Sequence, residues 1–239
     1  MFLVFDTETT GLPKRWDAPI SDHENWPRCV QIAWQLHDDF GNCVEHKDFI
    51  VSPEGFDIPF ESEQIHGIST ALSTKEGSAI NAILADFNAA LAKSKYIIGH
   101  NIKFDVNIIG AELDRLGLDT SITTTPILDT CTEHTATLCQ IPGGRGGRFK
   151  LPTLSELYKY LFDDSFDQAH NATADVEATA RAFFELLRQN KFPANQITDG
   201  QLLVSRLNET FKEAVPLIGL LHTDLKAASA KLIQEKQAP

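Results

Sequence analysis

Acidic residues stand out in three short segments of the sequence. In the first, Asp6-Thr7-Glu8 directly follows the apolar run Met1–Phe5, which predicts a buried strand with Asp6 at its end. In extended backbone, side chains two residues apart project to the same side, so both carboxylates could bind one cation. Solvated acids are also common in loops, so this pair alone does not distinguish a metal site from an ordinary surface.

The other two segments place acids at the start of predicted helices. Asp105 follows a strand-to-helix junction and falls in the first helical turn at the rim of the core, where the helix dipole also favours an acid. Asp175 enters a later helix that either Asn171 or Thr173 can cap, and His170 lies on the preceding loop. A single loop histidine is more often a surface residue than a catalyst.

Composition narrows the chemistry that these acids can support. The 239 residues carry a formal charge of −12, which argues against binding nucleic acid through a broad basic face. An acidic enzyme that acts on phosphates needs divalent cations, and clustered carboxylates would supply the ligands. The four cysteines lie far apart without CxxC spacing, so neither a zinc ribbon nor a redox pair is indicated.

Hydrophobic periodicity predicts an α/β fold with a mixed sheet. The run 1–5, the alternating stretch 30–36 and the stretch 44–51 after Gly41-Asn42 predict three antiparallel strands. Strands and helices then alternate, which is typical of parallel pairing. The further expected elements are a helix over 76–91, a strand over 96–98, a helix over 102–116, a strand over 126–130, a helix over 153–161 and a helix over 176–187.

The domain should span residues 1–190, and residues 191–239 should form a linker and a helical appendage that Pro216 interrupts. No stretch approaches the ~20 apolar residues of a membrane span, and the N-terminus does not resemble a signal peptide. We therefore expect a cytoplasmic protein without a membrane partner.

Taken together, FLVFDTETTGL, HNIKFD and HNATAD resemble the motifs of the DEDDh exonucleases, the DnaQ-like branch of the ribonuclease H-like fold. The resemblance covers residues 1 to about 190 and implies 3′→5′ hydrolysis of phosphodiesters. It further implies that Asp6, Glu8, Asp105 and Asp175 hold two divalent ions, Mg²⁺ or Mn²⁺, with His170 as the general base. In that scheme Asp6 bridges both ions, Glu8 and Asp175 serve the water-side ion, and Asp105 serves the leaving-group ion.

Further segments are similar to substrate-contacting parts of this family. The resemblance suggests that Thr9, Leu12, His66 and Asn101 contact the 3′-terminal nucleotide, although a simple turn at Gly67 would also explain the segment around His66. Separately, residues 143–150 combine four glycines, three cations and one phenylalanine, which suits either a groove for single strands or an ordinary loop.

The implied partner is nucleic acid with a free 3′ end, and resemblance to the proofreading branch favours single-stranded DNA and a DNA polymerase partner. An exoribonuclease or oligoribonuclease-like activity stays open, because the same catalytic residues serve both polymers. A polymerase-binding module without catalysis is the other alternative. Loss of a signature residue would favour that module, and all five are present.

Overall fold

The structure is a computed structural model that describes residues 1–165 and 171–212. The chain divides into two compact units, Met1–Leu186 and Leu187–Pro239. Among the described residues, no helix combines the length and the apolar character needed to cross a membrane.

A mixed five-stranded sheet forms the centre of the first unit, in the order β3-β2-β1-β4-β5. Its first three strands pair antiparallel, whereas β4 pairs parallel with β1 and β5 pairs parallel with β4. This arrangement confirms the predicted fold class. The strands are β1 (Phe2–Thr9), β2 (Cys29–His37), β3 (Cys43–Ile50), β4 (Tyr96–Gly99) and β5 (Ile127–Asp129).

Helices flank the sheet, and four of them lie where hydrophobic periodicity predicts them. The sequence did not indicate α1, α2 and α5, which have seven residues each. The helices are α1 (Phe60–His66), α2 (Thr70–Glu76), α3 (Ile80–Ala92), α4 (Lys103–Arg115), α5 (Glu133–Cys139), α6 (Leu154–Phe162) and α7 (Ala172–Arg188).

Strand β1 is longer than its apolar run. The prediction that Asp6 stands at the strand end is wrong, because Asp6, Thr7 and Glu8 continue the antiparallel pairing with β2. Pairing with β4 stops earlier, at Val4 opposite Ile98. The part of β1 that carries the acids therefore extends past β4 and has a strand neighbour only on the β2 side.

The two faces of β1 pack against different helices. Leu3 and Phe5 belong to the core cluster that includes residues of α3 and α4, and the rings of Phe5 and Phe87 are 5.0 Å apart. Phe2 points the other way and lies 6.0 Å from the ring of Phe183 on α7. Since side chains alternate along a strand, Asp6 and Glu8 project to the same face as Phe2, which is the α7 face.

A buried ion-pair network joins helix α4 to the start of β2. The Glu112 carboxylate, with a side chain only 1% exposed, accepts hydrogen bonds from Arg28 Nε at 2.8 Å and the Cys29 N–H at 3.0 Å. Arg115, one helical turn further on, forms a second ion pair with it at 3.1 Å. Two guanidinium groups and a backbone N–H therefore compensate this buried charge.

The described part of the second unit is helical. It contains a 3₁₀ turn, Ala194–Gln196, and residues 200–212 form a helix. The guanidinium of Arg188 lies 4.2 Å above the ring of Phe211. Residues 213–239, including Pro216 of the predicted helix break, lie outside the described residues.

Candidate functional site

Three predicted carboxylates meet on one face of the sheet. Asp6, Glu8 and Asp175 each offer an oxygen, and these oxygens lie within 4.8 Å of one another. Asp6 and Glu8 share the α7 face of β1, and Asp175 lies near the start of α7. Segments almost 170 residues apart in the sequence therefore meet at one point.

The start of α7 is fixed by a cap that the sequence indicated. Asn171 Oδ1 accepts the N–H of Thr173 at 3.1 Å, so Asn171 is the capping residue of the two considered. The N–H of Asp175 donates to the Asn171 carbonyl at 3.0 Å, which places Asp175 in the first helical turn. The predicted general base His170 lies outside the described residues.

Asp105 reaches the same point from the other side of the sheet. Its Oδ1 accepts hydrogen bonds from the backbone N–H of Thr7 at 3.0 Å and from the Thr7 hydroxyl at 2.6 Å. Thr7 lies between Asp6 and Glu8, so these two bonds attach α4 directly to the acidic part of β1. Asp6, Glu8, Asp105 and Asp175 are called the carboxylate cluster below.

The carboxylate cluster concentrates negative charge in a partly enclosed place, where Asp105 is buried and Asp6, Glu8 and Asp175 are half-buried. Burial raises the pKa of Asp6 well above its usual range, and the neighbouring Asp105, Asp175 and Glu8 raise it further. Burial, followed by the charges of Asp175 and Asp105, raises the pKa of Glu8 to about 8. The pKa of Asp105 rises to about 7, mainly through burial, although its hydrogen bonds from Thr7 oppose the shift.

This arrangement fits a divalent cation. A bound cation would offset the mutual repulsion that raises these pKa values. The three grouped residues offer only carboxylate oxygens, which are the ligands that Mg²⁺ and Mn²⁺ prefer. The cluster therefore has both the ligand type and the charge to hold hard metal ions.

Asp129 is a neighbouring acid that the sequence analysis missed. Its Oδ1 accepts the N–H of Asn101 at 2.9 Å and the N–H of Cys131 at 2.7 Å. Its charge also raises the pKa of Asp105. Its position at the end of β5, parallel to β4, was the available signal, because carboxyl ends of parallel strands meet at one sheet edge.

Asn101 lies in the turn between β4 and α4. It adopts a left-handed backbone conformation with φ 62°, which asparagine tolerates better than most residues. Its side chain is exposed, next to the Asp129 carboxylate that accepts its N–H. The predicted substrate contact is therefore on the surface, at the edge that holds the acids.

His66 ends helix α1 beside the carboxylate cluster. Gly67 closes that helix with φ 77°, so the turn considered from the sequence is present. The Ile68 N–H donates to His66 Nδ1 at 3.1 Å, which leaves the ring proton on Nε2. Burial lowers the pKa of His66 while the backbone of Thr9 opposes the shift, so the ring lies beside the end of β1.

Thr9 and Leu12 follow the acids directly. The Thr9 hydroxyl donates to the Gly11 carbonyl at 2.7 Å and fixes the turn that leaves β1. The Leu12 side chain is 74% exposed, which is unusual for leucine and leaves it available for contact. All predicted contact residues thus lie on segments that border the cluster.

The sequence matches a known protein family and several of its members. The model of the exonuclease family, RNase T type, matches residues 3–183. The DNA polymerase III subunit epsilon of Rickettsia prowazekii is 31% identical over 192 residues, which cover 80% of this chain and 76% of that protein. The 3′-5′ exonuclease DinG of Bacillus subtilis is 31% identical over 198 residues, which cover 80% of this chain and 18% of that protein.

Solved structures show the same fold. E. coli exonuclease I in complex with a dT13 oligonucleotide superimposes with a TM-score of 0.62 at 22% identity, over 78% of this chain and 40% of exonuclease I. Exonuclease X in complex with 5′ overhanging duplex DNA gives 0.51 at 20% identity, over 84% and 99% of the two chains. Given the family match and the identity to the epsilon subunit, this protein belongs to the exonuclease family, alongside relatives that are 3′-5′ exonucleases.

Proposed function

We propose that this protein is a metal-dependent 3′→5′ exonuclease that releases 5′-mononucleotides from single-stranded DNA in the cytoplasm. The observation that supports this most is the convergence of Asp6, Glu8 and Asp175 within 4.8 Å, next to Asp105. Hydrolysis of a phosphodiester requires an activated water, neutralised phosphoryl charge and a stabilised leaving oxygen. Two bound divalent ions can supply all three.

The geometry supports assigning the four acids to two different metal ions. Asp6 and Glu8 project from the α7 face of β1, Asp175 lies opposite them on α7, and the three would hold the ion on the water side. Asp105 approaches from α4, and its charge raises the pKa of Asp6, so these two acids would serve the second ion together. Asp6 would then be the bridging ligand.

His170 is the proposed general base. It lies five residues before Asp175 in the sequence, and it completes the family motif that Asp175 ends. An imidazole with a pKa of ~6.5 is mostly neutral at physiological pH and can accept the proton of an attacking water.

The proposed substrate contacts surround the same edge of the sheet. His66 would offer its Nε2–H to the terminal nucleotide, Leu12 would pack against its base, and Thr9 and Asn101 would contact the phosphate or sugar. The preference for DNA, and a DNA polymerase as partner, are supported by the DNA polymerase III epsilon relative and by the oligonucleotide held in exonuclease I.

The test compares the wild-type protein with Asp6→Asn and His170→Ala on 5′-labelled DNA and RNA oligonucleotides, with and without Mg²⁺ or Mn²⁺. We expect a one-nucleotide ladder on single-stranded DNA that requires metal and disappears in Asp6→Asn. His170→Ala should lose turnover while metal still raises its melting temperature. Glu76→Gln, which changes an exposed carboxylate on α2, should cleave like the wild type.

Cleavage that persists in EDTA or in Asp6→Asn would overturn the metal mechanism. Preference for RNA would replace the DNA assignment by an exoribonuclease. Normal turnover in His170→Ala would remove that residue from the mechanism.

A further inference from the structure

A group of charged and aromatic side chains lies outside the carboxylate cluster, around a separate pocket. A pocket of about 580 Å³ opens between helix α5 and the glycine-rich loop that follows it. Among its lining residues are Glu133 and Thr137 from α5, and Arg145, Arg148 and Phe149 from the loop. It is called the α5 pocket below, and the catalytic chemistry proposed above does not use it.

The α5 pocket concentrates positive charge in an otherwise acidic protein. Arg145 is exposed and has no carboxylate partner among the described residues. Arg148 pairs with Glu133 at 2.5 Å, but both side chains are mostly exposed, at 70% and 79%. Exposed ion pairs of this kind contribute little to stability, so a phosphate can readily replace the carboxylate.

The pocket also offers apolar surface suited to a base. Phe149 and Leu151 both line it, and their side chains are 43% and 50% exposed. Aromatic rings next to cations are the usual platform for single strands, because bases stack on the ring while phosphates contact the cations.

The shape of the loop is defined by its glycines. At Gly144, any Cβ would collide with the backbone of Arg148 and Phe149, and Gly146 and Gly147 have positive φ of 67° and 77°. The Lys150 N–H closes the loop by donating to the Ile141 carbonyl at 2.9 Å. The loop therefore presents its cations from a specific backbone conformation.

The α5 pocket is anchored to the same sheet edge as the carboxylate cluster. Glu133 comes four residues after Asp129, which limits their Cα separation to ~15 Å. At the other end of the loop, His100 Nε2 lies 2.9 Å from the Pro152 carbonyl, next to the turn that carries Asn101. With a stacked rise of ~3.4 Å per nucleotide, this limit of ~15 Å spans at most roughly four nucleotides.

We propose that the α5 pocket binds single-stranded DNA a few nucleotides upstream of the 3′ end that is cleaved. Arg145 and Arg148 contact backbone phosphates, and a base stacks on Phe149. This inference rests on the proposed exonuclease function and adds a binding subsite to it. It also explains how a protein with a net charge of −12 holds a polyanion, because a few local cations replace a broad basic face.

The test uses dT3 and dT12 labelled with fluorescein at the 5′ end. Anisotropy is measured in Ca²⁺, and steady-state cleavage of both oligonucleotides is measured in Mg²⁺. The double variant R145A/F149A should bind dT12 about 10- to 100-fold more weakly, whereas its kcat and KM for dT3 should match the wild type. The salt dependence of dT12 binding should also fall, by about one unit of slope for the removed arginine.

Two further variants exclude trivial explanations. Lys75→Ala removes one exposed cation from α2 and should leave dT12 affinity unchanged. Arg145→Lys keeps the charge and should restore most of the affinity lost in Arg145→Ala, which a merely misfolded loop would not do.

Unchanged dT12 affinity in R145A/F149A would overturn the subsite, even with normal cleavage. Equal loss of dT3 and dT12 cleavage would also overturn it, because that pattern indicates damage to the catalytic centre. If the wild type cleaves neither oligonucleotide but binds dT12 through Arg145, the exonuclease proposal fails and the binding site remains.

Discussion

Helix α4 carries two buried carboxylates whose surroundings differ completely. Glu112, near its C-terminal end, meets two guanidinium groups and the Cys29 N–H. Asp105, near its N-terminal end, accepts two hydrogen bonds from Thr7. Its negative charge is one of three that raise the pKa of Asp6. The charge of Glu112 is compensated by cations of the protein, whereas the charge of Asp105 lies next to other negative charges.

This difference separates a structural acid from a functional one. Burying a paired charge holds α4 to β2 and strongly penalises loss of either partner. Burying several like charges destabilises the fold unless an ion from solution joins them. The carboxylate cluster should therefore lower the stability of the metal-free protein and bind metal ions. The Glu112 network should stabilise the fold and have no part in metal binding.

The largest effect should follow from Asp6→Asn, which keeps the shape and removes the charge. Because a metal ligand supplies several kcal/mol at the transition state, we expect activity at least about a thousand-fold lower. Melting in EDTA should occur at the same or a higher temperature than in the wild type, since one buried like charge is gone. Single-turnover cleavage and thermal melts measure both; a clearly lower melting temperature would contradict the comparison.

Glu112→Gln should show the opposite pattern. It leaves Arg28 and Arg115 without their carboxylate, so the free energy of unfolding should fall by about 3 kcal/mol, roughly a hundred-fold in the unfolding equilibrium. Urea titration measures this, and cleavage per folded molecule should stay within about twofold of the wild type. As a control, Asp86→Asn breaks the exposed pair with Lys47 and should cost under about 1 kcal/mol. Equal losses in the two variants would remove the distinction.

Thr7→Val should have an intermediate effect on activity alone. It removes the hydroxyl that donates to Asp105 at 2.6 Å and keeps the backbone N–H bond. Residues that orient metal ligands typically change affinity or activity 10- to 100-fold, so we expect kcat about tenfold lower and half-activation at higher Mg²⁺. Thr7→Ser, which retains the donor, should restore both. If neither variant alters the Mg²⁺ requirement, Thr7 does not position Asp105.

The smallest effect should be on how the rise in melting temperature caused by Mg²⁺ depends on pH. The pKa values of about 8 for Glu8 and about 7 for Asp105 exceed the ~4 of unfolded carboxyls, so the folded state binds more protons between those values. In EDTA their contribution to stability is therefore present at low pH and is lost as pH rises from about 4 to 8. Mg²⁺ should raise the melting temperature more at pH 8 than at pH 5, and Glu8→Gln should reduce that difference. Equal metal shifts at both pH values would contradict it.

Much of the fold could be predicted from hydrophobic periodicity. The buried runs of β1 and β2 and the helical stripes of α3, α4 and α7 are long enough to show their period. The seven-residue helices α1, α2 and α5 were missed because two turns hold too few apolar positions for a pattern. The polar half of β1 was missed because its strand conformation depends on pairing with β2, not on its own residues.

The sequence identified the acidic residues of the candidate site, but it did not reveal the contacts between them. The acids stand at recognisable junctions, so Asp6, Glu8, Asp105 and Asp175 could be named from the sequence. The bond from Thr7 to Asp105 joins residues 98 positions apart and leaves no local pattern. Asp129 was missed for a related reason, since only the parallel pairing of β4 and β5 brings it to the same edge.

Because β1 extends beyond β4, its acidic part is aligned only by pairing with β2, and metal binding depends on that alignment. Side chains alternate along a strand, so sliding β1 by one residue against β2 would turn Asp6 and Glu8 away from Asp175. A chain with that misalignment could still be compact, but it could not chelate. Metal present during refolding should therefore select molecules with correctly aligned strands and raise the yield of native protein.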